Sequence, residues 1–393
     1  PIFAPNFGTG MTRMSAKSLL AAAFSLCMIL FTNVSKAQHE THDTLSHDTA
    51  TAAHTDPAHD GEEGEFNVTE TILEHVADAH SWHLWGHTSL PLPVILYSDK
   101  GLETFSSAKL VDEHHEPIAY EGNYTYKLVE GKIRVVNADG SVNEESSKKV
   151  WDFSITKNVV SLFITALLLM MIFLSVAAAY RKTGVKSAPK GLQSFMEPMI
   201  IFIRDEVAKP NIGHRYGAYV PFLLTLFFLI LINNLLGLVP FFPGGANVSG
   251  NIAFTMTLAV FVFIVVNLKG NKNYWKHIFW MPGMHWGMKL FLAPIELLGV
   301  FIKPVSLMIR LFANMTAGHI LVLSLICLIF IFKSVFASAI SVPFAVFIGL
   351  IELLVAFLQA YIFVMLGSMY IGMAIEEHHH HGDHDPHYNE TED

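Results

Sequence analysis

The chain has 393 residues, of which 52% are hydrophobic and only 15% charged, with a net charge of -9. Several uninterrupted apolar runs exceed the roughly 18 residues that mark a spanning helix, so this is an integral membrane protein. The negative charge gathers in the tails and the amino-terminal third, no basic patch suggests nucleic acid, and two cysteines, Cys27 and Cys327, both inside apolar runs, exclude a disulfide framework.

Met11 or Met14, then Arg13 and Lys17, the apolar run Ser18–Phe31 and Ser35-Lys36-Ala37 before Gln38 have the layout of a cleavable secretory signal over residues 1–37. Residues 38–65 are rich in His, Asp, Glu and Thr and hold almost no large apolar side chain. Such a segment cannot offset the entropy of ordering and reads as a disordered tail. From Phe66 to Asp152 the composition is mixed. Thr71–Val76 is helix-like, and Tyr124–Val129 and Lys132–Val136 flank Glu130-Gly131, a two-residue hairpin signal. A small β-containing domain outside the membrane is expected over residues 66–152.

The fold expected beyond it is an all-α polytopic membrane domain over residues 153–376. Five apolar segments follow one another, near 159–179, 219–240, 252–268, 290–332 and 334–375. Between the first two, Phe195, Met199, Phe202 and Ile203 alternate with Glu197, Arg204 and Lys209, the spacing of an amphipathic helix lying on a membrane surface. The first connection carries Arg181, Lys182, Lys186, Lys190, Arg204, Lys209 and Arg215, the third Lys269, Lys272, Lys276 and Lys289, and the second, Phe241–Asn251, no charge. Positive loops stay inside, so the first and third connections are cytoplasmic, the amino terminus is outside, and the tail 377–393, again rich in His and acids, is cytoplasmic. The last two segments would reach roughly 60 Å as straight helices against a hydrocarbon core of roughly 30 Å. A break at Pro304 would divide the fourth into two spans; a strongly tilted hairpin turning at Lys333 is the favoured arrangement.

Inside the fourth segment Glu296, Lys303 and Arg310 are seven residues apart and share a helical face, with about 20° of drift per step, and Asn314 joins them. An internal salt-bridge ladder would account for Glu296 and Lys303. Arg310 has no acid three or four residues away. Its guanidinium keeps its charge at any relevant pH, so it can gate protons electrostatically but never carry one. His319, nine positions on, falls on the opposite side of the helix and suits a separate path. On the last segment Glu352 and Gln359 share a face with Gly349, Ala356 and Phe363, and the small residues permit close helix approach. Protonatable Glu and His beside a fixed Arg are the two kinds of site that a proton relay needs.

Glu296…Lys303-Pro304-Val305-Ser306-Leu307-Met308-Ile309-Arg310-Leu311-Phe312-Ala313-Asn314-Met315, followed by Leu358-Gln359-Ala360-Tyr361-Ile362-Phe363, closely resembles subunit a of the rotary, F-type ATP synthase. Ile232-Asn233-Asn234-Leu235-Leu236-Gly237-Leu238-Val239-Pro240 and Gln193…Glu197 are similar to the same family, over about residues 151–377. The resemblance implies a non-catalytic channel subunit in a bacterial inner membrane, beside a ring of c-subunits and a b-subunit stalk, with no cofactor and no bound nucleotide. It implies that Arg310 engages ring carboxylates and prevents a proton short-circuit between two offset half-channels. Asn314, His319, Glu352 and Gln359 match the periplasmic half-channel and Glu296 an acid toward the cytoplasmic exit, and the resemblance makes Asn234 on the second span a further ion-translocation residue. His and Glu exchange places in some relatives, and position 237, glycine here, is acidic in some. Residues 38–150 lie outside the common core.

Two rivals remain. Nine histidines between His39 and His87 and six between His378 and His387 suggest a membrane-anchored metal-binding protein, although their spacings fit no closed tetrahedral motif. A self-contained transporter would need internal repeats, which the sequence lacks. Pro243-Gly244-Gly245 is not followed by the Gly-Lys-Ser/Thr of a P-loop, so nucleotide chemistry must reside on other subunits.

Overall fold

The computed structural model describes residues 77–85, 88–112, 116–129, 131–183, 188–239, 242–280, 285–332 and 335–375. The signal, both His-rich tails and the helix-like stretch 71–76 lie outside the described residues.

The extension folds as antiparallel strands. A two-stranded sheet pairs β1 (Ser81–Trp85) with β2 (Thr88–Pro91). A three-stranded sheet has β3 (Pro93–Ser98) between β4 (Gly101–Ser106) and β8 (Trp151–Asp152). A third joins β5 (Tyr120–Glu121), β6 (Thr125–Val129) and β7 (Lys132–Val135), and a one-turn helix, α1 (Glu144–Ser147), precedes β8. Alternation along β3 sends Val94 and Leu96 inward, against Phe105, Leu110, Tyr126 and Val135. The expected hairpin forms: Val129 pairs with Lys132, and Gly131 takes φ 76°, which glycine adopts without steric penalty.

Among the described residues five helices are long and apolar enough to cross a membrane, as the sequence predicts. The first is α2 (Lys157–Thr183), with Arg181 and Lys182 in its last turn, where cations complement the helix dipole. Next come α3 (Leu192–Phe202), a π-helical stretch Ile203–Ala208, α4 (Lys209–Ile212) and α5 (Tyr216–Leu238). The helix expected between the first two spans is α3, with Gln193 and Met196 buried against the protein and Phe195 and Phe202 facing outward.

A 3-10 turn, Val248–Gly250, leads into α6 (Ile252–Lys269). The third connection contains α7 (Lys272–Phe279), a short helix not foreseen, although Tyr274, Trp275, Ile278 and Phe279 recur at helical spacing. Then α8 (Trp286–Phe332, 47 residues) and α9 (Val335–Ile375, 41 residues) run without a break through Pro294, Pro304 and Pro343. At 1.5 Å per residue they extend about 70 and 62 Å, so the split at Pro304 does not occur and crossing a roughly 30 Å core requires tilt or projection.

α9 packs against both α5 and α8, and α8 also against α6. The α9 seam repeats every three or four residues through Ala356, Ala360, Phe363, Val364, Ile371 and Ala374, all fully buried. Small residues bring its backbone close to α4. Asn211 Nδ2 donates to Ser368 Oγ at 3.1 Å, and a Cβ at Gly372 would collide with the carbonyl of Asn211. Backbone cannot yield as a flexible side chain can. Gly372→Ala is expected to separate α4 from α9 and lower the melting temperature of the assembled complex by several degrees, read by thermal unfolding in detergent.

The extension is seated on the end of the helices where α2 begins and α5 finishes. Trp82 is buried in the same core as the helices, edge-to-face with Phe242 at 5.1 Å between centroids. At the start of α2, Asp78 Oδ1 accepts from Asn158 N–H at 3.0 Å, Lys157 N–H donates to Ala79 O at 2.9 Å, and Lys157 Nζ donates to Ala77 O at 3.2 Å. A carboxylate from the extension thus caps a membrane helix, the favourable end for negative charge.

Candidate ion-translocation site

His319 and Glu352 meet across the α8–α9 interface. His319 Nδ1 lies 2.8 Å from Glu352 Oε1, and His319 Nε2 lies 3.1 Å from the carbonyl oxygen of Gly237 on α5. A carbonyl can only accept, so Nε2 carries the proton in that bond. Nδ1 is then left to exchange one with the carboxylate. The Glu352 side chain is 7% exposed and that of His319 16%, so the pair is largely shielded by protein.

Gly318 makes the approach possible. A Cβ there would lie 2.8 Å from Glu352 Oε1. Gly318→Ala is expected to push the carboxylate off His319 and lower proton flux about tenfold, as one misplaced relay partner does. The measurement is ATP-driven acidification of vesicles, and an unchanged rate would show that the pair is not needed in this geometry. Position 237 faces the same place, with its added Cβ 3.8 Å from His319 Cε1. An acid there would stand beside the imidazole.

One turn either side of Ala356, the α9 seam holds Glu352 and Gln359, both buried as their seven-residue spacing implies. Gln359 Oε1 accepts from Asn314 Nδ2 at 2.8 Å. Asn234 Nδ2 donates to Ala356 O at 3.1 Å, which ties α5 to α9 between those two residues. Asn233, which the sequence reading left without a role, accepts from Thr165 Oγ1 of α2 at 3.1 Å.

Arg310 sits one turn before Asn314 on α8, half-buried, and makes no hydrogen bond or ion pair among the described residues. Two turns before it, Lys303 Nζ lies 5.6 Å from the centroid of the Tyr370 ring of α9. As expected from the nine-residue offset, Arg310 shares no partner with His319. The salt-bridge ladder does not form. Glu296 and Lys303 make no ion pair among the described residues, because seven residues span about 10.5 Å of helix axis.

Glu296 lies about 21 Å along α8 from Arg310 and is not brought to the His319 group. Its surroundings are different: a cavity of about 20 Å³ lies on this side of Arg310, lined by Asn267, Tyr274, Lys303 and Tyr370. Burial pushes the Tyr274 hydroxyl pKa up, and the charge of Glu296 adds to that. The candidate residues therefore form two separate polar groups with Arg310 between them.

α8 and α9 differ from the other long helices in how little protein covers them. In their most apolar stretches only 11% and 17% of residues are buried, against 50% and 44% for the spans ending at Leu238 and Lys269. Leu298, Phe301, Val305 and Ile309 form an uncovered face running up to Arg310.

Residues 159–372 match the family described as ATP synthase A chain, and residues 71–153 match a domain of unknown function. Similar proteins include ATP synthase subunit a 2 of Chlorobaculum tepidum, 48% identical over 60% of this chain and 67% of the relative, and ATP synthase subunit a 2 of Chlorobium luteolum, 52% identical over 57% and 66%. The chain thus spans about two thirds of the length of these two. A longer alignment, with ATP synthase subunit a of Chlorobium phaeobacteroides strain BS1, is 37% identical over 88% of this chain and 91% of the relative. That match includes the extension as well as the helices, and with the family match over more than half the residues, the chain belongs to the ATP synthase A chain family.

Proposed function

We propose that this chain is the proton-translocating stator subunit of a bacterial F-type ATP synthase, not itself catalytic, working beside a ring of c-subunits and held by a b-subunit stalk. The observation that carries this reading is Arg310, a permanent charge without a hydrogen-bond or ion-pair partner among the described residues, on a helix hairpin that those residues leave largely uncovered. A charge in that setting needs an opposite charge from outside the chain.

In this mechanism a proton from the outside reaches Glu352 and His319. It passes along the Asn314–Gln359 level, with Asn234 holding α5 in place, and protonates a ring carboxylate. The neutral carboxyl then turns into the bilayer. After nearly a full turn another carboxyl releases its proton toward Glu296, on the side with the lysine-bearing connections, and the resulting carboxylate is drawn to Arg310. The guanidinium cannot accept the proton, so the two half-channels stay separate. The basic first and third connections put that exit in the cytoplasm and the extension in the periplasm of a multi-pass inner-membrane protein.

The holoenzyme in liposomes tests this. ATP addition should acidify the lumen at a rate independent of sodium. Pumping that requires sodium, with no acidification in its absence, would overturn the proton assignment.

A further inference from the structure

The helix-capping Asp78 belongs to a larger polar cluster, most of which the half-channel residues do not absorb. Among the described residues, eleven buried side-chain oxygen and nitrogen atoms have no hydrogen-bond partner. Eight of them gather at the junction of the extension with the outer end of the helices. Asp78 Oδ2, His80 Nδ1 and Thr156 Oγ1 are on the extension and its link to α2, and Asn158 Oδ1 and Ser161 Oγ are on α2. Asn247 Nδ2 and Ser249 Oγ are on the loop that wedges beside them, and Asn234 Oδ1 is on α5.

Part of this cluster lies on one face of α2. Asn158, Ser161 and Thr165 recur at three and four residues, one face of α2, and all three are buried. Thr165 reaches Asn233, the neighbour of Asn234, and one turn further Gly237 reaches His319. At the other end, His80 Nε2 lies 3.3 Å from Asp152 Oδ2, and the Asp152 side chain is 36% exposed while that of His80 is 10%. The cluster thus has an exposed end at Asp152, and the Thr165–Asn233 bond joins its α2 face to α5, the helix whose Gly237 carbonyl meets His319. Burial would raise the Asp152 carboxyl, but the hydrogen bond and charge of His80, with Ser154, outweigh it and hold the group below its ordinary range.

Leaving one buried polar atom unpaired costs about 1–3 kcal/mol. Eight together at one junction are accounted for if water bridges them, as it does at polar, roomy buried sites. We propose that the extension and the outer third of α2 form the aqueous mouth of the outer half-channel, with Asp78, His80, Asp152 and Lys157 at its rim and Asn158 and Ser161 in its wall. This rests on the proton-translocation reading above, and assigns the extension a part in it.

The test uses the holoenzyme in liposomes with Cys27 and Cys327 replaced by serine, and single cysteines placed by Ser161→Cys, Asn158→Cys and, as a buried apolar neighbour, Leu162→Cys. Silver ion and a cationic methanethiosulfonate are added on the side of the extension. Ser161→Cys and Asn158→Cys should be labelled in the assembled complex and lose more than half of their acidification rate, with Leu162→Cys matching the cysteine-free parent. Labelling needs no activity, so it also reads a variant that assembles but pumps poorly. A purely structural polar network would leave both polar positions unlabelled, and that result overturns the proposal while parental acidification leaves the translocation reading standing. Loss of acidification in the parent itself would strike the underlying reading instead.

Discussion

Arg310→Ala is expected to reduce ATP synthesis driven by a proton gradient by at least about 100-fold while the catalytic subunits still hydrolyse ATP. The attraction of a guanidinium for a carboxylate at about 4 Å is roughly 4 kcal/mol at an effective dielectric of 20. Desolvation of the ring carboxylate opposes it. Moving one charge through 100 mV supplies about 2.3 kcal/mol, so the contact is strong enough to place the ring and weak enough to be released. Without the guanidinium nothing in the described chain replaces it, because Arg310 has no neighbouring cation within its own turn. In the proposed mechanism, protons can then pass from one half-channel to the other without rotation. Arg310→Lys keeps a charge but loses the planar fork, and an ammonium in a poorly solvated site gives up its proton more readily than a guanidinium does. It is expected to synthesise less than about a tenth of the wild-type rate, on the scale of one lost charge-assisted contact. Wild-type synthesis by the alanine variant, measured in energised vesicles, would remove Arg310 from the mechanism.

The parts of this arrangement that the sequence makes legible are those with a period or a punctuating residue. The five helices follow from run length, the β6–β7 hairpin from Gly131, and the buried side of α9 from the seven-residue spacing of Glu352 and Gln359. The continuity of α8 and α9 through three prolines was harder to read, since proline removes one helix hydrogen bond but packing on both neighbours can hold the helix regardless. Contacts between distant segments leave no local trace. Nothing in Thr165 or Asn233 alone indicates that they bond, or in Gly318 that it must remain small for Glu352. The docking of the extension through Trp82 and Asp78 is of the same kind. One signal was present and unused: Asn158, Ser161 and Thr165 share a helical face in an otherwise apolar span, as Glu296, Lys303 and Arg310 do.

The second large effect is expected at the His319–Glu352 pair. Glu352→Ala leaves His319 Nδ1 buried without its partner, a cost of about 1–3 kcal/mol, and removes a proton-carrying group; His319→Ala strands the carboxylate in the same way. Each single variant should acidify vesicles at less than about a tenth of the wild-type rate, a loss of the size that removing a proton-transfer group produces. Exchanging the two, with His319→Glu and Glu352→His in one chain, restores an acid opposite an imidazole at the same interface, and Gly318 still leaves room for the side chain at position 352. The exchange also forfeits something. Gly237 O now receives no imidazole N–H, because its partner was Nε2 of the side chain on α8. Two neighbouring groups in one network do not add, so the double variant should exceed either single one, reaching about a third of the wild-type rate if the lost bond costs roughly 0.5–1 kcal/mol. If the double variant were no faster than the slower single one, the two side chains would be acting at their separate positions and not as an interchangeable pair.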